Sequence, residues 1–241
     1  MQRFLRLSIP PWSNISRNYP RNCPRGFPSV QRGKCFRMAT MDQSTMSGNK
    51  VRDLVKFLEL VGNLKHLKRT GWLLRNVADC ETVSAHMYRM SMVTFLLDGS
   101  EGLDRLKCME LALVHDLAEC IVGDITPYCG VSREEKKRRE MKAMEDITKM
   151  ISPRGNRMME LFHEYEENTS PESKFIKDLD RLDMVLQAFE YEKRDNCVGK
   201  HKEFVDTVHG KSLHPLVGSL IDEIKAQREA LMKDKEDRRS S

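Results

Sequence analysis

In the stretch LALVHDLAECIVGDITP, residues 111–127, an apolar helical pattern is interrupted by His115, Asp116, Glu119 and Asp124. An imidazole and three carboxylates set among Leu113, Val114, Leu117, Ala118, Ile121 and Val122 are costly to bury unless they are paired, hydrogen-bonded or bound to a cation. The pattern predicts a helix from about Leu103 to Cys120, stopped at Gly123. On such a helix Glu119 follows Asp116 by three residues and His115 by four, so it shares their face.

Upstream, Val51, Leu54, Val55, Leu58, Val61 and Leu64 recur at three and four residues, the face of an amphipathic helix over 49–67. A Gly-containing connection then carries Arg69, Trp72 and Arg75 into a second helix, for which Ser84 is a suitable N-cap. His86 falls in its first turn, and Met87, Met90, Val93, Leu96 and Leu97 continue its apolar face.

Downstream, residues 131–151 form a charged helix in which acids interleave with bases, the pattern of a solvated helix rather than one that binds nucleic acid. A short helix over about 156–168 follows. Ser170 caps and Pro171 opens another, with Phe175, Ile176, Leu179, Leu182, Val185, Leu186 and Phe189 on its apolar face and Asp180 beside them. A last helix runs from Pro215 to Met232 before a charged tail. No run alternates with period two, so the expected fold class is all-α, a globular multi-helix bundle.

At 241 residues the chain holds one full-sized domain with appendages: a basic extension over 1–45, a helical domain over 46–233 and a charged tail over 234–241. Hydrophobic residues make up 39% and charged residues 32%, a composition that excludes a disordered chain or a membrane protein. The longest apolar stretch, Met90 to Leu97, is too short to span a bilayer, so no membrane partner is expected.

The net charge of +5 is unevenly spread. Residues 1–41 carry eight basic residues and no acid, leaving 33 basic against 36 acidic residues in the remainder. A mildly acidic body does not support binding to a nucleic acid polymer. The extension has the Arg- and Ser-rich, acid-poor composition of an organellar transit peptide, whereas its prolines and the possible internal starts Met38 and Met41 fit a disordered extension on a cytoplasmic protein. Seven scattered cysteines without a C-x-x-C pair exclude a zinc ribbon and a disulfide framework.

A metal ion needs nitrogen or oxygen donors converging from different elements, and His86, His115 with Asp116, and Asp180 lie on three predicted helices. Two imidazoles and two carboxylates suit Mn²⁺, Co²⁺, Fe²⁺ or Zn²⁺ better than Ca²⁺ or Mg²⁺, which favour an all-oxygen cage. Glu119 can hold an attacking water or a second cation. Asp124, past the helix end, can orient the same water, meet a substrate hydroxyl, or join the backbone of Ile125 on that second cation.

Four ordered blocks sharpen this reading: RTGWLLRNV (69–77), ETVSAHMYRM (81–90), LALVHDLAECIVGDI (111–125) and KFIKDLDRLDMVLQAFEYE (174–192). Together they resemble the HD-domain 5'-deoxynucleotidases, a branch of the HD superfamily of metal-dependent phosphohydrolases. The resemblance covers roughly residues 48–230 and implies an HD-domain bundle with a metal site between helices, held by His86, His115, Asp116 and Asp180. It implies cobalt, manganese or magnesium as cofactor, deoxyribonucleoside 5'-monophosphates as substrates, and a homodimer.

By the same resemblance Arg69, or else Arg75, orients the phosphate, Trp72 walls the deoxyribose unless it is a core tryptophan, and Thr126 touches sugar or phosphate. Asp178 and Asp183 are expected to be surface partners of Lys177 and Arg181. The alternatives are an HD-domain hydrolase of another nucleotide and a non-catalytic HD-fold binding protein. The scarcity of further basic residues around the HD motif counts against a triphosphate pocket.

Overall fold

The structure is a computed structural model that describes residues 48–240; the basic extension, with Met38 and Met41, lies outside the described residues. Among the described residues the regular elements are helical: α1 (Gly48–Asn63), α2 (Thr70–Leu73), α3 (Val83–Val93), α4 (Arg105–Val114), α5 (Glu119–Val122), α6 (Arg133–Met150), α7 (Asn156–Glu167), α8 (Pro171–Arg194), α9 (Lys202–Asp206) and α10 (Pro215–Ser240). The one β feature among them is an isolated antiparallel bridge between Lys68 and Thr82. The fold is all-α, as the periodicity predicts.

The 24-residue α8 is the axis of the bundle and packs against α3, α4, α7, α9 and α10. Its start follows the sequence: Ser170 Oγ accepts from Ser173 N–H at 3.0 Å, and Pro171 takes the first helical position. Phe175, Ile176, Leu179, Leu182, Val185 and Phe189 are all buried in the main core.

Elsewhere tertiary packing shifts what periodicity alone predicts. In α1 the faces differ: Phe57, Leu60 and Val61 pack on the core and Leu64 is buried, while Val51, Val55 and Leu58 stay exposed. Two apolar stripes share that helix, and the bundle accepts only one of them. α3 is capped two residues earlier than Ser84 would place it, because the Thr82 side chain accepts from Ala85 N–H. The charged tail does not stop at Met232 but continues α10 to Ser240, stabilised by an Asp234–Arg238 pair four residues apart.

The expected helix over 103–120 is divided. Asp104 caps α4 by accepting from Leu106 and Lys107 N–H, and the helix ends at Val114. Through the next residues the hydrogen bonds tighten to three-residue spacing: Leu117 N–H to Val114, Glu119 N–H to Asp116 and Cys120 N–H to Leu117. α5 then closes at Gly123, whose φ of +79° a side chain would disfavour. His115 and Asp116 thus sit in a tightened turn rather than mid-helix.

A buried ion pair ties α8 to α10. Arg228 Nε lies 2.7 Å from Glu192 Oε2 and its other guanidinium nitrogen 3.0 Å from Oε1, while His201 N–H donates to Glu192 Oε1 at 2.7 Å. Glu192 is completely buried, so removing its cation strands a charge. Arg228→Ala is expected to lower unfolding free energy by about 3–5 kcal/mol in urea denaturation.

Candidate metal centre and adjoining cavities

His86 lies in the first turn of α3, His115 and Asp116 lie in the turn between α4 and α5, and Asp180 is carried by α8. Folding brings them together. His115 Nε2 is 3.2 Å from Asp116 Oδ2; His86 Nε2 is 3.8 Å from the same oxygen and 3.3 Å from Asp180 Oδ1. The two imidazoles meet edge to face with centroids 5.4 Å apart, and both are buried.

The remaining ring nitrogens are held from behind. His86 Nδ1 lies 2.6 Å from Asp183 Oδ2, and His115 Nδ1 donates to the Ala112 carbonyl at 2.9 Å. A carbonyl only accepts, so His115 carries its proton on Nδ1 and offers a lone pair at Nε2. Both Nε2 atoms are buried without a hydrogen-bond partner. Two orphaned imidazole nitrogens facing two carboxylates form the donor set that a first-row divalent cation takes.

Electrostatics favour a cation here. Burial and the Arg69 charge push the His86 pKa down, but the Asp180 and Asp183 carboxylates outweigh them and lift it to about 9. The same carboxylates that hold a proton on His86 attract a dication, which competes with that proton. Burial works to raise Asp116 and Asp180, yet the neighbouring histidines and Arg69 hold Asp116 well below the usual carboxylate range and Asp180 at about 2. Glu119 goes the other way: burial, then the charges of Asp116 and Asp124, push it well above the ordinary range.

Arg69 reaches Asp116 Oδ2 at 3.2 Å and Asp180 Oδ1 at 3.8 Å. Asp124 anchors the helix start beside it, accepting from Thr70 N–H at 2.7 Å, while the Thr70 hydroxyl donates to the Asp124 carbonyl at 2.7 Å. One Asp124 oxygen is therefore committed to positioning α2. Arg75 is directed elsewhere: it pairs with Glu203 at 2.8 Å, donates to the Gly71 carbonyl, and lies over the rings of Phe204 and Tyr128.

The cluster opens into a cavity of about 930 Å³, lined also by Glu119, Asp124, Ile125 and Thr126 and by residues of α6, α7 and α8. A second cavity of about 300 Å³ adjoins it through Arg69, Asp124, Thr126 and Pro127, with Gly71, Trp72, Arg75, Tyr128, Met184 and Phe204 on its walls. Trp72 is both a core residue and a cavity wall: it is 3% exposed, donates Nε1–H to Glu81 at 3.0 Å, and packs against Tyr191 and Phe204. Thr126 Oγ1 accepts from Tyr128 N–H in the 3₁₀ turn Pro127–Cys129, and Ile125 is buried.

Two expectations fail. Asp178 does pair with Arg181 at 2.7 Å, but Asp183 is no surface residue: it is 4% exposed and bridges His86 and Arg89. Its place one turn after Asp180 on α8 was the available signal, since residues three apart share a face. The scarcity of basic residues around the motif also misleads, because Arg133, Lys136, Lys137, Lys177 and Arg181 reach the larger cavity from α6 and α8. Nothing local in the sequence ties those helices to the HD motif.

A family model described as HD domain matches residues 61–220. The chain belongs to the HD domain family. It is 48% identical over 188 residues to a Bos taurus protein named 5'-deoxynucleotidase HDDC2, covering 78% of this chain and 91% of that one. A Schizosaccharomyces pombe protein named 5'-deoxynucleotidase hdd1 is 40% identical over 190 residues, covering 76% and 94%. Among solved structures, a conserved hypothetical protein from Pyrococcus furiosus is 28% identical with a TM-score of 0.59, over 71% of this chain and 99% of that one.

The Asp183 contact predicts a measurable effect on metal binding. Asp183→Asn keeps the shape but removes the charge that orients His86, and Mn²⁺ or Co²⁺ affinity by titration calorimetry is expected to fall about 10- to 100-fold.

Proposed function

We propose that the chain is a metal-dependent 5'-deoxynucleotidase that hydrolyses deoxyribonucleoside 5'-monophosphates to deoxyribonucleosides and phosphate. The observation that carries this reading is the convergence of His86, His115, Asp116 and Asp180, with Arg69 beside them, at the mouth shared with an aromatic cavity. The relatives named 5'-deoxynucleotidase support the substrate class.

His86, His115, Asp116 and Asp180 would hold the cation; their donors suit Mn²⁺, Co²⁺, Fe²⁺ or Zn²⁺, and the family resemblance favours Co²⁺, Mn²⁺ or Mg²⁺. When bound, it supplies a Lewis acid for the attacking water and the phosphoryl oxygens. Arg69 turns its guanidinium fork to the phosphate, a geometry that lysine does not match. Glu119 Oε2 is buried without a hydrogen-bond partner on the same cavity, so as a carboxylate it would hold the attacking water and take its proton. Asp124 keeps α2 and Arg69 in place; with Glu119 and the backbone of Ile125, which line the same cavity, it would hold a second hard cation.

The nucleoside enters the second cavity, against Trp72, Tyr128 and Phe204, with Arg75 and Thr126 at its edge. Crowding by these rings excludes a 2'-hydroxyl. The cations that α6 and α8 bring to the larger cavity give a specific reason to assay dATP beside dAMP.

The oligomer is a homodimer. α3, the 3₁₀ turn Thr94–Leu96 and α4 pack together and leave Tyr88, Met92, Phe95, Leu96, Leu106 and Leu113 exposed. An apolar patch of this kind marks an association surface.

Protein loaded with Co²⁺ or Mn²⁺ is expected to release phosphate from dAMP well ahead of AMP, and Asp116→Ala to abolish release by removing a ligand. Turnover that survives in Asp116→Ala, or equal rates on dAMP and AMP, would refute the reading. For the dimer, Met92→Asp combined with Phe95→Asp is expected to shift sedimentation to the monomer without loss of helicity.

A further inference from the structure

We propose that Lys136 is the second cation of the phosphate site, contacting the phosphoryl oxygens of the substrate from α6 while Arg69 contacts them from the start of α2. The proposal rests on the phosphomonoesterase reading above and adds to it a residue from outside the HD motif.

Lys136 lines the larger cavity together with Arg69, Asp116, Glu119 and Asp124. The charges of Asp116, Glu119 and Asp124 act on both Lys136 and Arg69, and both cations act in return on Glu119. Two cations drawn from separate elements therefore converge on one set of carboxylates, beside the pair of imidazoles.

Arg133 and Lys137 of α6 also line this cavity, whereas Arg138, Arg139 and Lys142 point away from it. Arg138 and Arg139 both close on Glu135 at 2.7 Å, and Lys142 closes on Asp146 at 2.7 Å, all with partners three or four residues away on the solvent side. Lys136 turns inward instead, to a looser 3.5 Å contact with Glu140, which is only 8% exposed. An ammonium has three donors, so Glu140 anchors the side chain and leaves donor capacity for a ligand. The Lys136 side chain keeps 37% of its surface accessible, and a ligand in the cavity can reach it.

The chemistry of the substrate calls for such a group. A phosphoryl group in transfer spreads charge over three equatorial oxygens. Arg69 already divides its donors between Asp116 and Asp180, at 3.2 and 3.8 Å. A point charge from another wall balances the oxygens that the guanidinium does not reach.

The test compares wild type with Lys136→Met, Lys136→Arg and, as a control on the solvent face of the same helix, Lys142→Met. Inorganic phosphate binding is measured by calorimetry on the Mn²⁺-loaded protein, alongside KM and kcat for dAMP and the Mn²⁺ affinity. Lys136→Met is expected to weaken phosphate binding and raise KM by about 10- to 100-fold, the loss of one charged hydrogen bond. Lys136→Arg restores most of it, Lys142→Met matches wild type, and Mn²⁺ affinity stays unchanged in all.

Phosphate binding at the wild-type level in Lys136→Met overturns the proposal, as does a parallel loss of Mn²⁺ affinity, which marks a structural role. If Lys136→Met does not fold, Lys136→Gln gives the same reading. A wild-type protein that binds phosphate but does not hydrolyse dAMP overturns the substrate assignment alone, because the calorimetry does not depend on turnover.

Discussion

A buried imidazole can offer a lone pair to a cation only if its other nitrogen is held, and the rest of this site depends on how that is done for His86. Its Nδ1 lies 2.6 Å from Asp183, which also takes the Arg89 guanidinium, so one buried carboxylate joins α3 to α8 and sets the ring. His115 meets the same requirement more cheaply, through the Ala112 carbonyl of its own chain segment. With both rings fixed, their Nε2 atoms face Asp116 and Asp180.

The carboxylates around those rings repel one another, and the fold answers with cations and with protons. Arg69 sits against Asp116 and Asp180, while Glu119, crowded by Asp116 and Asp124, is pushed toward its neutral form. The cluster thus sets carboxylates held in their charged form beside one pushed toward neutrality. Asp124 joins the two functions, because its hydrogen bond to Thr70 N–H places the short helix from which Arg69 projects.

Much of this was legible in the chain. The HD dipeptide in an apolar run, the upstream His86 and the downstream Asp180 pointed to the cluster, and Ser170-Pro171 marked the start of the helix that carries Asp180. The burial of Asp183 is not legible there, because its spacing from Asp180 fits an inward face and a solvated face equally well. The buried face of α1 is hidden for a related reason: Val51, Val55 and Leu58 are as periodic as the residues that the core accepts. The tightened turn at His115 left no trace, since Leu and Ala flank it as they would flank any helical residue.

The sequence by itself determined the helical class and the family, and it held the His and Asp residues that the fold gathers into one cluster, because periodicity and residue chemistry are local properties of the chain. Only the tertiary structure decided which carboxylate backs His86, which arginine faces Asp116 and Asp180, and that Lys136 and its neighbours on α6 and α8 line the cavity. Those outcomes depend on which helix faces meet, and that is set by packing over long separations in sequence rather than by any local pattern.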